Sequence, residues 1–158
     1  MTPPDAVSAQ ESHEAHHETR LLRVLCAEDD PDIRLILRLC LSTTSGCNLL
    51  LCASGDELLA KAAQFKPDVV LLDVSMPGLT GPQTLQAMQS MPGMQCVTSI
   101  LMTAQALPKQ LEDLTHLGAT GVIVKPFDPL MLAQNLRMYR DLSQASSLRS
   151  AQNRFQSL

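Results

Sequence analysis

Four short apolar runs in this chain are each followed at once by a residue able to handle charge. The first is followed by Glu28, Asp29 and Asp30, another by Asp73, a third by Thr103, and the last by Lys125 with Pro126 behind it. If these runs are parallel strands of one sheet, their carboxyl ends open on a common crevice, and acids, a hydroxyl and an ammonium converge there. Two carboxylates about 5 Å apart repel by roughly 3 kcal/mol at an effective dielectric near 20, so Glu28, Asp29 and Asp73 need a cation between them. Every candidate ligand is an oxygen, with no histidine or thiolate at these positions, which favours a hard ion such as Mg²⁺ over zinc. Acid, metal, hydroxyl and ammonium together suit phosphoryl transfer, where catalysis is positioning and charge neutralisation. On that reading Asp73 supplies the attacking oxygen and shares the metal with Asp29, and Glu28 reaches it directly or through water. Thr103 and Lys125 each take a phosphoryl oxygen.

The elements that must hold these residues are readable in the spacing. Residues 22–27, 49–53, 69–72, 100–102 and 122–124 form short, mostly uninterrupted apolar runs, as in strands covered on both faces. Between and after them, residues 32–41, 56–65, 82–91, 108–117 and 130–139 carry apolar side chains at helical intervals. Leu111, Leu114 and Leu117 make one stripe, and Leu132, Leu136 and Tyr139 another. Asp30 before Pro31 and Asp128 before Pro129 read as helix starts, because Asp caps a free N–H and Pro has the φ of a first turn. Alternating strands and helices predict an α/β fold: a five-stranded parallel sheet, doubly wound by helices on both faces.

In the helix over 32–41, Ile33, Ile36, Leu37 and Cys40 are expected to face the sheet. Leu35 and Leu39 then fall on an outer face, a candidate docking strip for a phosphodonor or target helix. Residues 1–20 carry few large apolar side chains and read as a disordered N-terminal tail, residues 21–141 as the folded domain, and residues 142–158 as a helix extension or tail. His13, His16 and His17 fall in that first segment, where loose imidazoles are more readily solvated than gathered on a metal.

Composition narrows the function. The chain has 158 residues and a net charge of −4, which argues against coating nucleic acid or an anionic membrane. No apolar run approaches the roughly 20 residues needed to span a bilayer, and the start lacks a signal peptide's basic flank and apolar centre. The five cysteines, Cys26, Cys40, Cys47, Cys52 and Cys96, have no metal-ligand spacing and read as reduced, mostly buried thiols, consistent with a cytoplasmic location.

Four segments, in this order and spacing, resemble the receiver domain of bacterial response regulators: VLCAEDDPDIR at 24–34, VVLLDVSMPGLTG at 69–81, LMTA at 101–104 and GVIVKPF at 121–127. The likeness covers about residues 22–140 and implies the flavodoxin-like (βα)5 receiver fold. It implies Asp73 as phosphoacceptor, Glu28 and Asp29 as the acid pair, Thr103 as the switch residue and Lys125 as the phosphate partner. The backbone carbonyl of Ser75 is the implied further ligand of Mg²⁺, and Lys125-Pro126 the implied cis peptide. The implied function is a phosphorylation-dependent switch of a two-component phosphorelay. Its donor would be a sensor histidine kinase or histidine phosphotransfer protein, and its output a downstream target protein. Only self-phosphorylation and autodephosphorylation are expected, with Ser75 and Gln105 flanking the route of water.

Two features depart from the family pattern. Val122 stands where an aromatic ring usually relays the signal, and no output domain is recognisable after residue 140, so the chain resembles stand-alone receivers of the chemotaxis-regulator kind. The competing reading is a degenerate receiver that binds proteins without phosphorylation, but the complete set of acids, Thr and Lys favours the switch. An aspartyl-phosphate phosphatase would need a second Asp where Ser75 stands, and flavin binding finds few aromatic surfaces. Direct nucleic-acid binding lacks a helix-turn-helix, and the sequence leaves homodimerisation open.

Overall fold

The structure is a computed structural model that describes residues 20–156. The segment 1–19, with His13, His16 and His17, lies outside the described residues. Arg20 is described and forms an ion pair with Asp68 at 2.8 Å. Along the chain come β1 (Leu22–Ala27), α1 (Pro31–Cys40), a 3-10 turn (Thr43–Ser45) and β2 (Cys47–Cys52). They are followed by α2 (Gly55–Phe65), β3 (Val69–Asp73), α3 (Gly81–Gln89), β4 (Thr98–Thr103), α4 (Pro108–His116), β5 (Gly121–Val124) and α5 (Leu132–Gln156). All five strands are parallel, in the order β2-β1-β3-β4-β5.

Alternation along each strand feeds two cores. Val24, Cys26, Leu71, Ile100 and Met102 face α1 and α5, meeting Leu37, Leu41, Leu132 and Leu136. Leu25, Ala27, Val70, Leu72 and Leu101 face the opposite layer, where Leu58 and Ala62 of α2 and Leu85 and Met88 of α3 cover them. Both layers press on β3, which is buried along its whole length. Its continuous Val-Val-Leu-Leu run follows from having no solvent face.

The register gathers the residues that the sequence singles out at the strand ends. Ala27 pairs with Leu72, so the next residues, Glu28 and Asp73, emerge side by side. Asp73 pairs with Met102, and Thr103 with Val124, which brings Thr103 and then Lys125 to the same end of the sheet. β1 and β3 are neighbours here while the chain winds outward from them in both directions, the switch point at which such sheets open a crevice.

Helix starts follow local chemistry. The Asp30 carboxylate accepts the N–H groups of Asp32 and Ile33 with Pro31 in the first turn, as the sequence predicts. Thr80 and Gln83 form a reciprocal capping box on α3.

Several expectations are corrected. β2 starts at Cys47 rather than residue 49, because pairing with all six residues of β1 carries Asn48 into the strand against its weak propensity. Ile36 is 42% exposed instead of covered by the sheet, since Leu37 and Leu41 fill that space. The α4 stripe is only partly covered: Leu111 and Leu114 are half-buried, and Leu117, which caps the helix end, is 46% exposed. Asp128 accepts the Leu130 N–H at 2.9 Å and closes a turn, so α5 begins at Leu132 rather than 130 and leaves Leu130 exposed. α5 then runs unbroken for 25 residues, well past Tyr139. Among the described residues no helix is long and apolar enough to cross a membrane.

Candidate functional site

At the carboxyl ends of β1 and β3, one oxygen from each of Glu28, Asp29 and Asp73 lies within 4.8 Å of the others. Glu28 is fully buried, Asp73 nearly so, and Asp29 is exposed at the rim. This is the only such group of three found among the described residues. Lys125 arrives from β5, and its Nζ sits 2.8 Å from Glu28 Oε2 and 3.0 Å from Asp73 Oδ1. The Lys125-Pro126 peptide is cis, as the resemblance implied.

The position of each group has a local cause. Glu28 Oε1 accepts the Asp30 N–H at 3.1 Å, tying the buried acid to the start of α1. The Arg34 guanidinium, one turn into that helix, donates to the carbonyls of Glu28 and Asp29 at 2.8 and 2.7 Å. Sequence reasoning missed Arg34; its only signal was a long cation on the first turn, five and six residues beyond the acid pair. Gly81 packs against the end of β3 so closely that a Cβ there would lie 2.3 Å from the Asp73 carbonyl oxygen. The Gly81 N–H closes the bend by donating to Val74 O at 3.0 Å. Only glycine lets α3 begin this near to Asp73.

Thr103 is buried at the end of β4, where its Oγ1 accepts the Gln105 N–H at 3.1 Å and leaves the hydroxyl hydrogen free to be donated elsewhere. The Lys125 N–H donates to the Thr103 carbonyl at 2.7 Å and holds these two strand ends together. Ser75 and Gln105 are both exposed at the rim. Val122 pairs with Leu101 and is half-buried, so β5 brings no aromatic ring to this position.

Burial sets the electrostatics. It raises the Glu28 carboxyl above its ordinary value, and the hydrogen bonds from Lys125 and the Asp30 N–H offset only part of that. Burial pulls Lys125 down, but hydrogen bonds to Glu28 and Asp73 prevail and hold it above its ordinary 10.5, so the ammonium stays charged. Beneath the site, burial first and the Glu28 charge second push the Cys26 thiol well above its ordinary 9.0. Three clustered carboxylate oxygens and no soft donor suit a hard divalent cation, and Lys125 supplies only one of the positive charges the cluster can balance.

Beside the cleft, Ile33 and Ile36 of α1 face Pro126, Phe127 and Pro129 across a shallow apolar depression bordered by Lys125. Leu35 and Leu39 stand out from α1 at 58% and 72% exposure, the outer face the sequence predicts.

Comparison with known proteins agrees with this geometry. The family described as the response regulator receiver domain matches residues 24–137. The probable C4-dicarboxylate response regulator DctR of Halalkalibacterium halodurans is 30% identical over 77% of this chain and 53% of its own length, so the chain spans about half of that relative. The chemotaxis protein CheY4 of Vibrio cholerae superposes with a TM-score of 0.70 at 30% identity, over 75% of this chain and 98% of that one. The receiver domain of a sensor histidine kinase from Pseudomonas aeruginosa PAO1 shares the fold, with a TM-score of 0.69 at 24% identity over 77% and 98% of the two chains. Its crystal structure has a magnesium ion coordinated in the active-site cleft.

Proposed function

The chain belongs to the response regulator receiver domain family of two-component signalling, and on that premise we propose that it is a switch phosphorylated on Asp73 by a phosphohistidine donor. One observation carries the reading: three acid oxygens from two strand ends lie within 4.8 Å of one another, with a half-buried ammonium in contact with two of the acids. Such a cluster is costly to fold, whereas phosphoryl transfer uses every member.

Glu28, Asp29, Asp73 and the carbonyl of Ser75 would hold Mg²⁺, which supplies positive charge opposite the transferred phosphoryl oxygens. An Asp73 oxygen attacks phosphorus, an O–P bond forms as the P–N bond to the donor imidazole breaks, and the imidazole leaves with its electron pair. Lys125, already against Asp73, turns its ammonium to a phosphoryl oxygen, and Thr103 donates its hydroxyl to another. Moving Lys125 away from Glu28 and drawing Thr103 inward alters the ends of β4 and β5, the route by which phosphorylation changes the surface offered to a target protein. Water entering past Ser75 and Gln105 then attacks phosphorus, the O–P bond to Asp73 breaks with its electron pair left on the carboxylate, and inorganic phosphate departs.

The donor is a sensor histidine kinase or a histidine phosphotransfer protein. Its helix would lie on the apolar surface of α1 beside the cleft, and unchanged transfer after replacing both Leu35 and Leu39 by Gln would remove that pair from the docking surface. The central test is intact-mass measurement after incubation with a small phosphodonor and Mg²⁺. The native chain should gain one phosphoryl group and Asp73→Asn none. A native chain that gains no phosphate, or an Asp73→Asn variant that still does, would sink the assignment and favour a binding module that works without phosphate.

A further inference from the structure

Beyond Tyr139, α5 continues with no buried residue as far as Arg154. A helical stretch of this length standing alone in water is marginal, yet it carries Leu142 at 55% and Leu148 at 66% exposure, with Met138 at 49% just before them. The residues around them are arranged about a centre. Leu142 stands three positions before Ala145 and Leu148 three after it; Asp141 stands four before and Arg149 four after. At about 100° per residue, Met138, Asp141, Leu142, Leu148, Arg149 and Gln152 all fall within roughly 60° of Ala145 around the helix. The serines lie on the far side, where the hydroxyls of Ser147 and Ser150 donate to the carbonyls of Ser143 and Ser146 and so are satisfied within the helix.

We propose that this face of α5 binds the same face of a second copy of the chain, antiparallel, about a twofold axis at Ala145. Each residue then meets the one equally far beyond the centre. Asp141 faces Arg149 of the partner subunit, Leu142 lies level with Leu148 of the partner subunit, and both contacts occur twice. Ala145, the smallest side chain on the face, sits where the helices cross and lets them approach closely. The pattern is its own complement, which identifies a second copy as the occupant. A parallel pair in register would instead set Asp141 against its own copy and Arg149 against its own. Asp141 is paired with its neighbour Arg140 at 2.9 Å, but that acid is 63% exposed and such surface pairs contribute little, so exchanging it for Arg149 of the partner subunit is easy. The result is a closed, isologous dimer.

The inference rests on α5 alone and stands or falls independently of phosphorylation at Asp73. It is tested by sedimentation velocity on the full chain over a micromolar concentration series, with circular dichroism to confirm folding. The native chain is expected to dimerise. Asp141→Arg and Arg149→Asp should each weaken the dimer about tenfold or more, and the double variant, with both charges exchanged, should recover it. A native chain that stays monomeric would overturn the proposal and assign the face to a different protein. A dimer indifferent to the single reversals, or a double variant no better than either single one, would overturn it as well. Mass gain from a small phosphodonor, measured on the same variants, reports separately on the phosphorylation site.

Discussion

Replacing Lys125 by Met tests the electrostatic account of the cleft, because it keeps much of the packing and deletes the charge. Nζ lies 2.8 Å from Glu28 and 3.0 Å from Asp73, with its side chain only 15% exposed. Without it, carboxylates within 4.8 Å of one another repel by at least about 3 kcal/mol at an effective dielectric near 20. Removing one partner of a buried ion pair typically costs about 3–5 kcal/mol. Exposure of Asp29 at the rim admits water, so we expect the lower end, about 3 kcal/mol, from urea unfolding at neutral pH in the presence of a chelator. Added Mg²⁺ should stabilise the variant more than the native chain, since it replaces the missing charge, and the gap should narrow.

The pH dependence has a definite sign on both sides. Lys125 is raised above its ordinary 10.5, so its contribution is complete below 10.5 and is lost as pH rises through its native value; there the native chain should converge on Lys125→Met. Glu28 is raised by burial, so its ionisation weakens the fold as pH rises from its ordinary 4.5 through its native value. Acidifying back through that window should therefore shrink the variant's deficit. A loss below about 1 kcal/mol, or a gap that neither Mg²⁺ nor alkaline pH reduces, would refute the reasoning.

Two further predictions concern packing and thiol chemistry. Gly81→Ala places a methyl 2.3 Å from the Asp73 carbonyl oxygen and 2.9 Å from backbone atoms of Asp73 and Val74. It should cost about 1–3 kcal/mol in thermal unfolding and slow phosphorylation from small donors, and native stability and rate would mean that α3 yields freely. Alkylation of the folded chain should modify exposed Cys96 first. Buried Cys26 and Cys52 should resist, burial having pushed Cys26 well above 9.0 and Cys52 up to about 11, and peptide mapping that finds either among the fast sites would contradict their burial.

What the sequence made legible, and what it hid, follows from how far each feature depends on distant partners. A strand buried on both faces must be apolar throughout, so Val69 to Leu72 announced itself and the first polar residue after it, Asp73, marked the strand end. The same held for Glu28 after β1, Thr103 at the end of β4 and Lys125 after β5. The partial cover of Leu117, the exposure of Ile36 and the late start of α5 were hidden because each depends on which neighbour takes the available space. Arg34 was hidden for a different reason: it holds backbone carbonyls, which leave no trace in residue types.

The cleft depends on register more than on any single residue. Glu28 and Asp73 meet because Ala27 pairs with Leu72, and Asp73 comes beside the β4 end because it pairs with Met102. A slip of one residue in β3 would turn its side chains to the opposite faces and carry Asp73 away from Lys125. Alternate burial of Val70 and Leu72 against α2 and α3, and of Val69 and Leu71 against α1 and α5, makes that slip expensive along the whole strand. The apolar cores therefore specify the charge cluster, and the repulsion within the cluster is sustained by burial that lies elsewhere in the sheet. Substitutions that loosen β3, even far from the acids, should for that reason lower the reactivity of Asp73 before they unfold the chain.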